Sequence, residues 1–318
     1  MFREIPEILE SQEIIDRAFK KAKKIKITDR NAFYRKKKTI IAETDSFCKT
    51  VIDIFEKYVK KFPSIDNMHP FYQELLKIKI DVDNLKKSLG GVNWAKKTVT
   101  MVYNSQFKQL KKSQNLDFLK KKQKEIHGRV TSIIKQINKE LITLKNAREI
   151  FRHLPDLEEV PTVVIAGFPN VGKSSLLRCL SSAKPEIAQY PFTTKEIVIG
   201  HMYKQEKYKK TKIQLIDTPG LLDRPFSERN KIEQQAVSAV KHLADLIVFI
   251  FDPSETCGYK LEDQKKLLAQ IKKMFAKADV IVVENKADQI KTKSKNIKIS
   301  CENKTGIDIL IEKIFRKI

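Results

Sequence analysis

Thr162-Val-Val-Ile-Ala166-Gly167-Phe-Pro-Asn170-Val-Gly172-Lys173-Ser174-Ser175 is the stretch on which the reading of this chain turns. Thr162 to Ala166 is a short apolar run of strand character, and a Gly-x4-Gly-Lys-Ser pattern follows it directly. Lys173 to Leu180 then carries helical spacing. A strand, a glycine-bounded curl and a helix in that order predict a phosphate-binding loop. Gly167 and Gly172 let the backbone curl so that N–H groups turn inward, with Pro169, Asn170, Val171 and Ser175 lining the same curl. The helix adds the positive end of its dipole. Lys173 would reach the β- and γ-phosphates, and the Ser174 hydroxyl would bind Mg²⁺.

Four further elements lie on either side of the next strands. Asp217-Thr218-Pro219-Gly220 closes one of them, placing Asp217 to hold Mg²⁺ through water and the Gly220 N–H to sense a γ-phosphate. Pro191-Phe192-Thr193-Thr194 supplies a threonine for the Mg²⁺ shell, Thr194 first and Thr193 as the alternative. Asn285-Lys286-Ala287-Asp288 follows a later strand. A carboxylate at Asp288 accepts both the ring N–H and the exocyclic amine of guanine, a donor pair that adenine lacks. Asn285 would fix that loop, and the Lys286 stem would lie over the base. Ser300-Cys301-Glu302 offers a backbone N–H, that of Cys301, to the guanine oxygen. Five such elements in order predict a site for GTP and GDP with Mg²⁺.

Around them the second half of the chain alternates strands and helices. Ile197–Tyr203, Lys212–Ile216, Leu246–Phe251, Val280–Val283 and Ile297–Ile299 read as strands, with a lysine-rich loop between the first two. Lys173–Leu180, Glu228–Leu243, Glu262–Phe275 and Ile307–Phe315 read as helices, which together imply a mostly parallel α/β sheet. Upstream the period changes. Ile40–Phe62 is helical and stops before Pro63; Leu85–Val102 and Tyr103–Leu119 are helical with a break at Gly90-Gly91; Gln123–Leu154 is one long amphipathic helix. The expected fold is therefore α + α/β, an all-α helical bundle over residues 1–157 followed by an α/β domain over 158–318.

Charge narrows the partners. The 318 residues hold 63 Lys plus Arg against 39 Asp plus Glu, a formal net charge of +24. Basic residues exceed acidic ones by 35 to 21 in residues 1–160 and by 28 to 18 thereafter, so no short tail accounts for the excess. Such a field favours polyanions. The longest apolar runs are too short to span a bilayer, and no amphipathic anchor accompanies the charge, which argues against a membrane role. Cys48, Cys179, Cys257 and Cys301 are far apart in sequence, with neither a CxxC pair nor a histidine cluster, as suits a reducing cytoplasm.

At these motifs the chain resembles GTPases of the translation-factor class, in the branch containing Obg and the nucleolar GTP-binding (Nog) proteins. PFTT at 191–194 marks the branch. DRPFSERNKIEQQA (223–236) and DPSETCGY (252–259) resemble the Nog family, as do FPSIDNMHPFYQELL (62–76) and KKSLGGVNWAKKTV (86–99). The likeness covers nearly the whole chain and implies a Ras-like P-loop GTPase domain behind a Nog-type helical domain. Eukaryotic relatives carry a long C-terminal extension, so the expectation is the compact archaeal form. The resemblance implies an assembly factor of the large ribosomal subunit that docks on its precursor and rRNA, with other assembly factors as further partners.

Hydrolysis has one anomaly. Leu221 stands where Ras-like GTPases use a glutamine to orient the attacking water. In related GTPases an asparagine at the position of Asn170 ligates K⁺ beside the phosphates, an alternative to Asn170 as a plain turn residue. Asn170, Lys173, Thr194 and Gly220 are thus the candidate catalytic set. Arg224 and Arg229 are expected as solvated loop charges and Trp94 as core. Basic clusters at Lys20–Lys26, Arg35–Lys38 and Lys108–Lys124 suit an RNA backbone, with no base-reading signature beside them. Two functions remain open: a GTPase released from the maturing subunit by hydrolysis, or a GTP-ordered placeholder that hydrolyses slowly.

Overall fold

A computed structural model describes residues 2–189, 196–205, 210–225 and 229–318. Backbone contacts divide the chain into Met1–Asn67 with Ile80–Arg152, and Met68–Lys79 with His153–Ile318. A twelve-residue segment of the first half, Met68–Lys79, groups with the second unit.

Six helices precede the first strand: α1 (Ser11–Lys23), α2 (Ala32–Lys61), α3 (Pro70–Lys79), α4 (Val82–Lys112), α5 (Leu116–Gln136) and α6 (Asn138–Arg152). All but α3 belong to the first unit. Their ends follow local chemistry. The Asn31 side chain accepts from the Phe33 and Tyr34 amides at the start of α2, Asn115 does the same for Asp117 and Phe118 at the start of α5, and α2 ends at Phe62 ahead of Pro63. Phe47, Phe55, Leu85, Leu110, Leu119, Ile126 and Phe151 are fully buried and fill the bundle.

Three helical expectations are corrected. The single helix over Gln123–Leu154 is two, α5 and α6, parted at Ile137, whose backbone leaves helical geometry at φ −95°, ψ 21°. The break expected at Gly90-Gly91 is absent, and α4 runs straight through it. A Cβ on Gly91 would stand 2.9 Å from Cγ of Glu140, so this glycine serves the close approach of α6. Trp94, expected in the core, is 45% exposed on α4.

The second unit is a seven-stranded sheet. In chain order it holds β1 (Thr162–Ala166), α7 (Lys173–Leu180), β2 (Glu186–Gln189), β3 (Glu196–Gln205), β4 (Lys210–Asp217), α8 (Lys231–Val240), β5 (Leu246–Phe251), α9 (Leu261–Met274), β6 (Asp279–Glu284), β7 (Ile297–Lys298) and α10 (Ile307–Lys317). The strand order is β2-β3-β4-β1-β5-β6-β7. The pairings of β2 with β3 and β3 with β4 are antiparallel, and the rest are parallel. β1 lies between β4 and β5, with Val164 opposite both Ile216 and Ile247. Every residue of β1 and β5 is buried, as a strand covered on both faces requires. The parallel strands therefore bring the ends of β1, β4, β5 and β6 to one edge, where ligands sit in open α/β sheets.

Helix α3 belongs to this unit although its sequence lies among the helices of the first. It buries Phe71, Tyr72, Leu75 and Leu76 and packs on α8. The Tyr72 hydroxyl donates to the Pro155 carbonyl and accepts from the Leu157 N–H, both at 2.9 Å, pinning the chain just ahead of β1. No described helix is long and apolar enough to cross a membrane.

Candidate functional site

The loop after β1 has the curled backbone that its sequence predicts. Gly167, Asn170 and Gly172 all take positive φ, of 146°, 62° and 100°. At Gly167 a Cβ would meet the Ile250 carbonyl oxygen at 2.7 Å, and at Gly172 it would meet Asn285 Nδ2 at 2.2 Å. Both positions therefore penalise any other residue twice over, by conformation and by space. Lys173 is buried, and its Nζ donates to the Phe168 carbonyl at 2.8 Å, across the mouth of its own loop. Burial pulls this ammonium below the usual lysine range, against the opposing pull of Asp217. The Asn170 side chain is exposed and bonds to no described residue; its left-handed backbone is one that asparagine tolerates well.

Asp217 and Ser174 come together as expected. The Ser174 hydroxyl donates to Asp217 Oδ2 at 2.7 Å. Asp217 is fully buried, its Oδ1 has no hydrogen-bond partner, and neither does the hydroxyl of buried Thr218. Burial pushes the Asp217 carboxyl up, outweighing the Ser174 hydrogen bond and the Lys173 charge. A buried hydroxyl–carboxylate pair with an orphaned oxygen fits a hard cation such as Mg²⁺, which takes oxygen ligands. Thr193 and Thr194 lie outside the described residues.

The Gly220 N–H, expected to sense a terminal phosphate, donates to Asp223 Oδ2 at 2.7 Å. Leu221 is fully buried and cannot approach a water at the loop mouth. The Arg224 and Arg229 reading is corrected. Arg224 pairs with buried Glu233 at 2.7 Å, and Arg229 is itself buried, donating to the Arg224 carbonyl at 2.5 Å. Glu233, the partner of Arg224, also accepts from the Asn230 N–H as part of the α8 cap.

Asn285 joins the two halves of the site. Its Nδ2 donates to the Val171 carbonyl at 2.8 Å, and its Oδ1 accepts from the Cys301 N–H at 3.2 Å. The Cys301 amide expected to face a guanine oxygen is thus engaged by Asn285 here. Ser300 is buried, its hydroxyl accepting from the Asn303 N–H. Asp288 is exposed, and no described residue donates to its carboxylate. Cys179, remote from Cys301 in sequence, meets that loop with its Sγ 3.6 Å from the Cys301 carbonyl oxygen.

Sequence reasoning missed one functional cluster. Lys286, at φ 60°, directs Nζ to Asp252 Oδ2 and Thr256 Oγ1, both at 2.6 Å. Asp252, fully buried at the end of β5, also accepts from the Ser254 and Cys257 amides. Despite its burial, Lys286 and these donors hold its carboxyl below the usual range. Gln264, buried on α9, brackets the backbone of Asp252 with hydrogen bonds of 2.8 and 3.0 Å. The available signal is an Asp followed by Ser and Thr at the second and fourth positions, the pattern of a side chain that caps its own loop.

Comparison with known proteins places this arrangement. The family model for the NOG1 N-terminal helical domain matches residues 2–158, and that for nucleolar GTP-binding protein 1 matches residues 231–288. An uncharacterized protein of Methanocaldococcus jannaschii is 39% identical over 293 residues, covering 91% of this chain and 81% of its own length. Nucleolar GTP-binding protein 1 of Eremothecium gossypii is 35% identical over 300 residues, and the chain spans 45% of that relative. A solved structure described as nucleolar GTP-binding protein 1 of Plasmodium falciparum is 31% identical, with a TM-score of 0.44 over 52% of this chain and 89% of that one.

Proposed function

The chain belongs to the nucleolar GTP-binding protein 1 family, and from that premise we propose that it is a GTPase acting in assembly of the large ribosomal subunit. One observation carries the nucleotide reading. Asn285 ties the phosphate loop to the Cys301 loop, while the Asp288 carboxylate beside it stays open to accept from a guanine edge. A phosphate group entering the curl would take the Lys173 ammonium from the Phe168 carbonyl, replacing a dipole with a charge. Ser174 and Asp217 would hold Mg²⁺, which neutralises phosphate charge when bound. The Lys286 stem, anchored at its tip by Asp252, would stand as a rigid wall beside the base.

Buried Leu221 puts no polar side chain directly after Gly220 to orient water, so intrinsic turnover by that route is slow. Either K⁺ at Asn170 or a bound partner supplies the missing stabilisation. The same leucine supports the second reading, a GTP-ordered placeholder whose hydrolysis is too slow to matter.

Docking on rRNA is supported by the first unit. Lys37 Nζ donates to Gln114 Oε1 at 3.1 Å, which joins the Arg35–Lys38 cluster to the corner between α4 and α5. Lys108, Lys111, Lys112, Lys120, Lys121 and Lys124 are exposed around that corner, and the rings of Tyr34 and Phe118 stand exposed among them. Lysines interleaved with exposed rings suit an RNA backbone and its unpaired bases. Co-sedimentation with ribosomal subunits, with GTP or GDP and across a salt series, tests the role. GTP-dependent binding that weakens steeply with salt is the expected result. Binding without nucleotide dependence would contradict the switch.

A further inference from the structure

Resting on the guanine-nucleotide reading, the geometry points to Asp223 as an internal stand-in for the γ-phosphate, one that sets the preference between triphosphate and diphosphate. Gly220 lies in the turn after β4 and lines one cavity with Phe168 and Pro169 of the phosphate loop. In this structure the partner of its N–H is a carboxylate oxygen of Asp223, three residues on, at 2.7 Å. A carboxylate and a terminal phosphate are both oxyanions, and one N–H cannot serve both at full strength.

The surrounding contacts show that this is a built turn. Leu221 and Leu222 are fully buried on either side of the contact, and the Leu221 N–H donates to the Thr218 carbonyl at 3.0 Å. The Gly167 N–H donates to the Leu222 carbonyl at 3.2 Å, fastening the turn to the phosphate loop. Arg224, the next residue along, is held by Glu233 of α8 at 2.7 Å. Asp223 therefore sits between two fixed points with its side chain directed back onto Gly220. It is largely buried and also lines a cavity of about 570 Å³ bounded by Phe168, Pro169, Tyr259 and Gln270.

Charge governs the response to an entering nucleotide. Near the loop mouth stand two carboxylates, Asp217 and Asp223, and one buried ammonium, Lys173, on which both act, while Arg224, Asp263 and Lys266 line the cavity that Asp223 borders. Mg²⁺ would neutralise Asp217, on which the Ser174 hydroxyl already rests. Asp223 interacts with the Lys173 charge, and its Oδ2 accepts from the Gly220 N–H. A diphosphate leaves Gly220 to its carboxylate. A triphosphate brings a second oxyanion to the same N–H, and Asp223 must give up its hydrogen bond and swing into the neighbouring cavity. The protein thus resists GTP by the strength of one charge-assisted hydrogen bond plus a like-charge repulsion, and releases the second switch only when the γ-phosphate wins.

Titration calorimetry with Mg²⁺, GDP and a non-hydrolysable GTP analogue tests this on the full chain, wild type against Asp223→Ala and Asp223→Asn. Asp223→Ala removes both contact and charge; Asp223→Asn keeps an acceptor of the same shape without the charge. The expected result is GDP affinity within about twofold of wild type for both variants. The analogue should bind about tenfold tighter or more to Asp223→Ala, and by an intermediate factor to Asp223→Asn, the range of a hydrogen bond to a charged group. Analogue affinity that stays level or falls, or GDP affinity that moves by the same factor, overturns the inference. Wild-type protein that binds neither nucleotide overturns it together with the guanine-nucleotide reading beneath it.

Discussion

Replacing Gly172 by alanine should disable the guanine and phosphate halves of the site at once, although it adds one carbon. The residue sits at φ 100°, where an L-residue costs about 1–2 kcal/mol. Its new Cβ would stand 2.2 Å from Asn285 Nδ2, far inside contact distance, so Asn285 must move. Moving it breaks the 2.8 Å bond to the Val171 carbonyl and the 3.2 Å bond from the Cys301 amide. Each buried group left unpaired costs about 1–3 kcal/mol. The sum, roughly 3–8 kcal/mol, is divided between folding and binding. With half of the lower bound falling on binding, GDP affinity drops by about tenfold, and a larger share makes the loss steeper. Calorimetry with GDP, read beside thermal unfolding, measures both parts. Gly90→Ala is the control: it lies inside α4, its Cβ meets nothing within 4 Å, and alanine there should gain up to about 1 kcal/mol. Gly172→Ala protein with wild-type GDP affinity and melting temperature would refute the coupling of the two halves through Asn285.

Two further outcomes rest on other contacts of the two units. Asp252→Ala takes the carboxylate from the partly exposed Lys286 ammonium and leaves the Ser254 and Cys257 amides without their acceptor, and should lower stability by about 3 kcal/mol in urea titrations; pairing it with Lys286→Met should recover part of that loss, since no cation is then left without its carboxylate. His127, packed against Phe19 and Phe47, has a pKa lowered by burial to about 4. The folded state binds its proton less readily than the unfolded chain, so its share of stability is whole above about pH 6.5 and is lost as pH falls toward 4, a span of at most ~3 kcal/mol. The stability difference between wild type and His127→Phe, followed by denaturation across that window, should therefore shift in favour of the variant as pH drops; a constant difference would contradict the burial argument.

The part of the molecule nearest the phosphates was legible because its chemistry is local. Thr162–Ala166 and Leu246–Phe251 read as buried strands because every residue is apolar or nearly so, and the structure returns those same bounds. Gly172 and Asn285 were each legible as motif residues, yet their contact was not, since it joins segments more than a hundred residues apart along the chain. Helix α3 has an apolar face like its neighbours, and nothing in that periodicity says that α8 is its partner. Gly90-Gly91 looked like a break because propensity disfavours it, but packing against Glu140 outweighs propensity. The edge strand β2, Glu-Ile-Ala-Gln, is too short and too polar to announce itself. Asp223 and Asp252 act through turns that fold their side chains onto nearby amides, and sequence shows the letters of a turn without its direction.

Calorimetry comparing GDP and ADP, each with Mg²⁺, on wild type and Asp288→Asn bears most directly on the site as a whole. A pocket that recognises guanine through an open carboxylate should hold GDP at least about a thousandfold more tightly than ADP, because adenine would leave that carboxylate without its two donors. Asp288→Asn should erase most of that margin. ADP bound as tightly as GDP, or a margin that survives the substitution, would contradict the account.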